Sequence, residues 1–198
     1  MKSKGTFKIS LILSSLFLIF VIVLVSIFTS YKWDSSFGYK LIKESILINN
    51  STQTVYNYLG NSNNAKNWSV YVDHISPINE DKVADGYLGS IRRCFKNSDE
   101  KNGSWDEEIL FTEKNKLRRL SCFNFQNLIY NPGILNTEQI YQDKDGACLL
   151  TFTLFSPNNE LGIWEEFKIH LGSFRTAYIF RKNLNNIKNL FLYYNIRK

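Results

Sequence analysis

The protein has 198 residues, and its formal net charge of +6 is concentrated towards the two ends of the chain. Residues 31–166 carry 14 basic and 18 acidic side chains, so this part is mildly acidic and lacks the basic stripe that nucleic-acid binding usually needs. An apolar fraction of 44 % excludes a disordered chain, and three widely spaced cysteines with two isolated histidines argue against a disulfide scaffold and a zinc site.

The N-terminal segment has the sequence of a membrane anchor. Residues 1–8 form a basic flank, and Ile9–Phe28 follows as 20 residues without a charge. A helix of this length spans about 30 Å, which matches the hydrocarbon thickness of a bilayer. We therefore interpret residues 9–30 as one uncleaved transmembrane helix. A cleaved signal peptide is the alternative, but its apolar core is normally shorter and a small-residue cleavage site normally follows it.

The charges on either side of the anchor predict its orientation. Lys2, Lys4 and Lys8 precede the apolar run, and no acidic residue occurs before Asp34. The positive-inside rule then places the N-terminus in the cytoplasm and the following domain outside it. Residues 31–38 are interpreted as a linker that leads into a single domain over residues 39–198. The sequence thus predicts a single-pass membrane protein.

The domain begins with a strand and two short helices. Tyr39–Ile48 is rich in β-branched and apolar residues, which favours a strand. Ser51 or Thr52 can cap a short helix that ends at Gly60, and residues 61–68 indicate a second helical turn. Six further strands are predicted, at Val70–Ile78, Tyr87–Phe95, Trp105–Phe111, Leu117–Phe125, Ile134–Gln142 and Cys148–Phe155. Short turns separate the later strands, so we expect an antiparallel sheet of about seven strands.

The pattern changes to a helical period from about residue 159 to 194. Large apolar residues recur at three- and four-residue spacing, at Trp164, Phe167, Leu171, Phe174 and Tyr178. We expect this stripe to grip the sheet, with the basic residues of the helix facing solvent. Phe191, Tyr193 and Tyr194 come after the expected edge of the sheet and are predicted to contact a membrane or a partner. The fold class is therefore α+β, with a curved antiparallel sheet wrapped around a long C-terminal helix.

Residues 40–194 resemble the START-like superfamily, in particular its polyketide cyclase/dehydrase and lipid-transport branch. The resemblance rests on the order of three short patterns. These are Val55, Tyr56, Leu59 and Trp68; then Gly86, Gly89 and Arg92; then Glu107-Glu108-Ile109 with the turn at residues 113–116. It implies a helix-grip fold around a hydrophobic cavity that takes lipids, sterols, polyketides or similar molecules. Some members of the superfamily are enzymes, and no shared catalytic set is carried over to this chain.

A curved sheet that is only partly covered by one helix leaves room for a cavity. We expect a hydrophobic small molecule or a lipid to bind there, without a cofactor or a metal. The predicted ligand-binding residues are Trp68, Arg92, Trp105, Glu107, Phe123, Phe152, Trp164, Phe167 and Leu171. The alternative is that the aromatic side chains simply fill the core and the domain has a structural or adaptor role.

Paired charged residues are the main chemical candidates. Side chains alternate across a strand, so one residue each of Arg92-Arg93 and Glu107-Glu108 is expected to face the cavity. A buried Arg–Glu pair could orient a ligand or take part in acid/base chemistry, whereas a surface pair would contribute under about 1 kcal/mol. Arg118-Arg119 presents the same alternatives.

His74 is the remaining catalytic candidate, with Glu107 and Glu108. Tyr71 and Asp73 are close to it in sequence, a grouping that could transfer protons. Neighbouring strand residues point to opposite faces, however, which is expected to separate Asp73 from His74. We therefore expect a binding protein rather than an enzyme, with a cyclase/dehydrase-type enzyme as the alternative.

Overall fold

A computed structural model describes residues 4–128, 133–158 and 161–196. Its α-helices are α1 (Lys4–Phe28), α2 (Thr52–Gly60), α3 (Ala65–Trp68) and α4 (Ile163–Ile196), with one 3-10 turn at Ser62–Asn64. Its strands are β1 (Lys32–Asp34), β2 (Tyr39–Ile48), β3 (His74–Pro77), β4 (Ile91–Phe95), β5 (Ser104–Glu113), β6 (Leu117–Gln126), β7 (Leu135–Lys144) and β8 (Ala147–Phe155). They form one antiparallel sheet in the order β1-β2-β8-β7-β6-β5-β4-β3, and α4 packs on it, so the predicted α+β helix-grip architecture is confirmed.

The sheet has one strand more than predicted. Lys32–Asp34 lies in the segment interpreted as a linker, yet it forms β1 and pairs with residues 39–41 of β2. Tyr31, just before it, is 5 % exposed and packs against Ile42 and Ala177. The segment after α1 therefore contributes a strand to the sheet.

α1 is a single helix whose Ile9–Phe28 segment is long and apolar enough to cross a membrane, a property it shares with signal sequences. The hydroxyls of Ser14, Ser15 and Ser26 donate to carbonyls four residues earlier, which satisfies these polar groups within the helix. Its apolar side chains remain outside the core of the domain; Phe17, for example, is 68 % exposed.

β3 is shorter than the predicted strand Val70–Ile78. The hydroxyl of Ser69 accepts hydrogen bonds from the backbone N–H groups of Tyr71 and Val72, which fixes a turn before the strand. The Val70 N–H donates to Asn183 on α4 instead of to a neighbouring strand. Pairing with β4 therefore begins only at His74.

β4 is also shorter than the predicted strand Tyr87–Phe95. Gly86 and Gly89 have φ angles of +83° and +80°, which form turns and not strand. A Cβ at Gly86 would lie 2.4 Å from the carbonyl oxygen of Gly60, so α2 can approach this turn only because Gly86 lacks a side chain. The other predicted strands are confirmed to within two residues at each end.

The predicted N-cap of α2 is confirmed. Ser51 has an extended backbone, and its hydroxyl accepts a hydrogen bond from the N–H of Thr54. Val55 and Leu59 on one face of the helix are buried in the core with Leu150 and Ile187. The cap and the apolar spacing together explain why this short segment is helical.

The second half of α4 packs on the sheet. Leu184, Ile187 and Phe191 are buried against Ile48 and Leu150. Each such side chain contributes about 1.5–3 kcal/mol when it leaves water. The prediction that Phe191 contacts a membrane or a partner is therefore wrong; Tyr193 is 70 % exposed, and the Tyr194 side chain lies outside the described residues.

The first half of α4 contacts the sheet through a different face from the one predicted. Its buried residues are Ser173 and Ala177, both 0 % exposed. The predicted gripping stripe faces away from the sheet, with Trp164 68 %, Leu171 53 % and Tyr178 55 % exposed. Small side chains let the helix approach β2 closely, which the large stripe would prevent. The prediction that this stripe grips the sheet is wrong.

Candidate functional site

A cavity of about 480 Å³ lies between the concave face of the sheet and α4. This volume falls within the range of about 300–1,000 Å³ that is usual for small-molecule sites. Most of its lining is apolar, and buried side chains such as Leu120, Trp105 and Phe152 form its inner wall. Further apolar lining comes from α2 and α3, from the segments around β3 and after β6, and from α4. The cavity can therefore enclose an apolar molecule.

The structure brings together five of the predicted ligand-binding residues. Trp68, Arg92, Trp105, Glu107 and Phe152 all line the cavity. Trp68 reaches the cavity from the end of α3, where its ring packs edge-on against the ring of Phe152 with centroids 6.1 Å apart. The indole Nε1 of Trp68 is buried and has no hydrogen-bond partner among the described residues.

Four predicted ligand-binding residues lie elsewhere. Phe123 is paired with Asp106, whose side chain is on the outer face of the sheet. Trp164, Phe167 and Leu171 belong to the outward face of α4 and are not part of the cavity wall. The apolar period of α4 is real, but it does not reveal which face meets the sheet.

Arg92 and Glu107 form the polar floor of the cavity. They are directly opposite each other on β4 and β5, and Arg92 Nε donates to Glu107 Oε2 at 3.2 Å. The other carboxylate oxygen accepts the indole N–H of Trp105 at 3.1 Å. Burial alone would lower the pKa of Arg92, but the carboxylates of Glu107 and Asp85 help to raise it above its ordinary value. This guanidinium therefore stays charged.

Asp85 and Ser62 hold Arg92 in place from the side away from Glu107. Asp85 accepts hydrogen bonds from both the N–H and the hydroxyl of Ser62, each at 2.7 Å. Arg92 Nη1 in turn lies 3.4 Å from the Ser62 hydroxyl and 3.9 Å from Asp85 Oδ1. Sequence reasoning missed Asp85 and Ser62, because they reach the site from loops that are distant along the chain.

The neighbouring charged residues face the other side of the sheet. Arg93 donates to both carboxylate oxygens of Asp106, at 2.7 and 3.0 Å. Glu108 follows Glu107 on β5 and is not part of the cavity lining. Alternation along β4 and β5 thus separates an inner ion pair from an outer one, as strand geometry requires.

Arg118 is a second buried arginine on the concave side and is 1 % exposed. It donates to Gln139 Oε1 at 3.0 Å and to the Tyr141 hydroxyl at 3.2 Å, and its guanidinium lies over the ring of Tyr56. Within the described parts of the chain, no carboxylate lies within ion-pair distance of it. Gln139 lines the cavity, so the hydrogen bond from Arg118 holds one side chain of the cavity wall in place.

His74 does not reach the cavity. Its Nδ1 lies 2.9 Å from Asp73 Oδ2, and its ring stacks on Phe95 with centroids 4.7 Å apart. The expectation that Asp73 and His74 point apart is wrong, because Asp73 precedes β3 and strand alternation does not apply to it. Tyr71, in contrast, does line the cavity.

Solvent-exposed members of the lining show where the cavity opens. Asn127 follows β6, and Gly172 and Arg175 lie on α4. Lys96 and Arg175 lie near the ring of Tyr71, with the Lys96 Nζ at 5.6 Å and the Arg175 Cζ at 5.7 Å from its centroid. The mouth is therefore flanked by cations that come from two different elements.

The end of α1 meets α4 close to this mouth. The hydroxyls of Thr29 and Ser173 lie 2.9 Å apart, and Tyr31 packs edge-on against His170. Burial lowers the pKa of His170, which the Glu166 carboxylate opposes. Ser173 is adjacent to the cavity-lining Gly172, so α1 and the cavity mouth occupy the same end of the domain.

The three cysteines are free and buried, as expected for inert thiols. Burial raises the pKa of Cys94 and of Cys122 well above the ordinary value, and raises that of Cys148 to about 12. Across the described ranges, no three His, Cys, Asp or Glu side chains are grouped closely enough to hold a metal ion.

No protein-family model and no curated protein matches this sequence. The structure is similar to DynU16 from the dynemicin biosynthetic locus, with a TM-score of 0.54 and 11 % identity. That match covers 75 % of this chain and 46 % of DynU16, so the chain spans less than half of that protein.

Two smaller proteins match over nearly their whole length. XoxI from Bacillus cereus has a TM-score of 0.54 and 15 % identity, with 77 % of this chain and 95 % of XoxI covered. Ara h 8.0201 has a TM-score of 0.53 and 8 % identity, with 77 % and 97 % covered. Identities this low show the fold alone. The domain that follows α1 therefore has the helix-grip fold of these proteins.

Proposed function

We propose that this protein is a membrane-anchored domain that binds a hydrophobic small molecule or a lipid in the cavity without catalysing a reaction. The observation that carries the proposal is the apolar cavity of about 480 Å³ between the sheet and α4. An empty apolar space of this size forgoes the packing that protein interiors otherwise achieve. A bound apolar molecule would restore those contacts.

The polar residues of the cavity support binding over catalysis. Glu107 accepts hydrogen bonds from Arg92 and Trp105, so both carboxylate oxygens are already engaged. A general base must lie within hydrogen-bond reach of the proton it removes. Glu108 and His74 lie outside the lining, so neither of these two predicted acid/base candidates accompanies Glu107 in the cavity.

We expect an apolar ligand to co-purify with the full chain. The chain would be purified in a mild non-ionic detergent, and native mass spectrometry would compare its mass before and after denaturation and organic extraction. A bound species of constant mass that appears in the extract supports the proposal. A chain that carries no such species and takes up none from added lipid extract contradicts it.

The proposed anchor is α1, with the N-terminus in the cytoplasm and the domain on the other side. The outward stripe of α4, formed by Trp164, Phe167, Leu171, Phe174 and Tyr178, supports this arrangement. The stripe lies on the same helix as Ser173, whose hydroxyl contacts Thr29 at the end of α1. At 1.5 Å per residue, the far end of the stripe at Trp164 lies about 14 Å along the helix from Ser173. If Phe28 lies at the edge of the hydrocarbon, the stripe lies at the bilayer surface, where Trp and Tyr are favoured.

We expect a label on this stripe to contact lipid. Leu171→Cys, labelled with an environment-sensitive fluorophore in reconstituted vesicles, should be quenched strongly by dibrominated phosphatidylcholine. The native cysteines are buried and will react slowly. The matched control is Lys144→Cys, because Lys144 pairs with Ala147 at the opposite end of the sheet, roughly 25 Å away. Equal quenching at both positions would contradict the membrane contact.

A further inference from the structure

The charges that line the cavity are unbalanced. Its charged lining residues are Arg92, Lys96, Glu107, Lys168 and Arg175, four cations and one anion. Arg92 and Glu107 compensate each other on the floor of the cavity. The remaining cations of the lining come from the end of β4 and from α4.

Lys96 and Arg175 are the two cations whose surroundings favour an anion. In the part of the chain that the structure describes, neither of them forms an ion pair. Both lie over the ring of Tyr71, which stacks on Trp105 with centroids 5.7 Å apart. Tyr71 thus has one cation from the end of β4 and one from α4 beside its ring, at the edge of an aromatic wall that continues inwards.

We propose that the ligand is an amphipathic anion, with an apolar body in the cavity and a carboxylate or phosphate at the mouth. The acidic group would lie between Lys96 and Arg175, where each cation can donate a charge-assisted hydrogen bond. The body would extend past Trp105 towards Phe152 and Leu120. A neutral ligand of the same shape would fill the cavity but leave the cations at the mouth without an anion.

The Arg92–Glu107 pair makes the opposite orientation unfavourable. An acidic group on the cavity floor would compete with Glu107 for Arg92 and leave two negative charges in a buried place. At the mouth, the same group gains two cations and keeps contact with water. The charge pattern thus predicts which end of the ligand enters the cavity.

This inference rests on the proposed binding function, and a competition experiment separates the two. The full chain in non-ionic detergent would be mixed with equal amounts of dodecanoate and dodecan-1-ol, or of dodecyl phosphate and dodecan-1-ol. Native mass spectrometry then counts each complex by its mass. We expect both anions to exceed the alcohol by about tenfold, as two partly exposed charge contacts would give. The anion with the larger excess over the alcohol then identifies whether a carboxylate or a phosphate suits the mouth better.

A charge-matched pair of variants localises the effect. Lys96→Gln with Arg175→Gln should remove the preference for the anions, so that anion and alcohol bind in comparable amounts. Lys114→Gln with Lys144→Gln removes the same charge from the far end of the sheet and should keep the preference. The inference is overturned if the alcohol binds as well as the anions, or if both variants behave alike. A chain that binds neither anion nor alcohol contradicts the binding function itself.

Discussion

Gly172→Trp should abolish ligand binding without destabilising the domain. Gly172 lines the cavity on α4, and a Cβ placed there would meet no atom within 4 Å. An indole at this position therefore meets no steric barrier, and we expect it to cover the mouth and occupy the space of the ligand. Replacing a helical glycine also removes a conformational penalty, which is about 1 kcal/mol for alanine and smaller for tryptophan. The measurement is the amount of bound ligand per chain by native mass spectrometry, together with the urea midpoint.

Gly172→Ala is the control for this prediction. It gives at least as large a gain in helix stability but leaves the cavity open, so ligand should still bind. If Gly172→Trp retains ligand as well as Gly172→Ala does, the apolar molecule binds elsewhere and the cavity is not the site. If both variants lose ligand, the glycine itself is needed for a reason other than space.

Glu107→Gln should destabilise the domain by about 3 kcal/mol. Arg92 is only 3 % exposed, and the substitution leaves its guanidinium with Asp85, at 3.9 Å, as the nearest carboxylate. Removing one partner of a buried ion pair typically costs about 3–5 kcal/mol, because the other charge stays desolvated. Urea denaturation of the full chain in detergent, followed by circular dichroism, measures the change in the free energy of unfolding.

Glu108→Gln provides a matched control on the same strand. Glu108 is the next residue along β5, and no salt bridge holds it in the described structure. We expect its substitution to change stability by less than about 0.5 kcal/mol. A Glu107→Gln variant as stable as Glu108→Gln would contradict the supporting role of the ion pair and reopen the possibility that Glu107 acts on a ligand.

Local signals were sufficient for most of the secondary structure. Ser51 caps α2, and the alternating strands β5 to β8 lie within two residues of their predicted limits. Both kinds of signal involve residues that are close in sequence, so they can be read without knowing the fold. The segments predicted incorrectly, before β3 and β4, depend on contacts with Asn183 and Gly60 that are remote in sequence.

The candidate site was predictable in part for the same reason. Strand alternation required one Arg and one Glu to face inwards, and the structure places Arg92 and Glu107 there. Which of the two faces is concave follows only from the curvature of the sheet and the position of α4. Ser62 and Tyr71 reach the cavity, and Asp85 reaches Arg92, from short turns and loops between the main elements, where no periodicity indicates the direction of a side chain.

Three features follow from the amino-acid sequence alone: an apolar N-terminal segment long enough to span a bilayer, an α+β domain, and a long C-terminal helix with a large apolar stripe. The position of that stripe depends on the packing of the folded domain. Spacing defines the faces of a helix, but the choice between them depends on what the helix packs against. The small side chain of Ala177 allows close packing against Tyr31 and Ile42, and the small side chain of Ser173 lets its hydroxyl bond to the segment after α1. The large aromatic residues are left on the outside, next to the end of α1, and the positive charge lies beside the mouth of an apolar cavity.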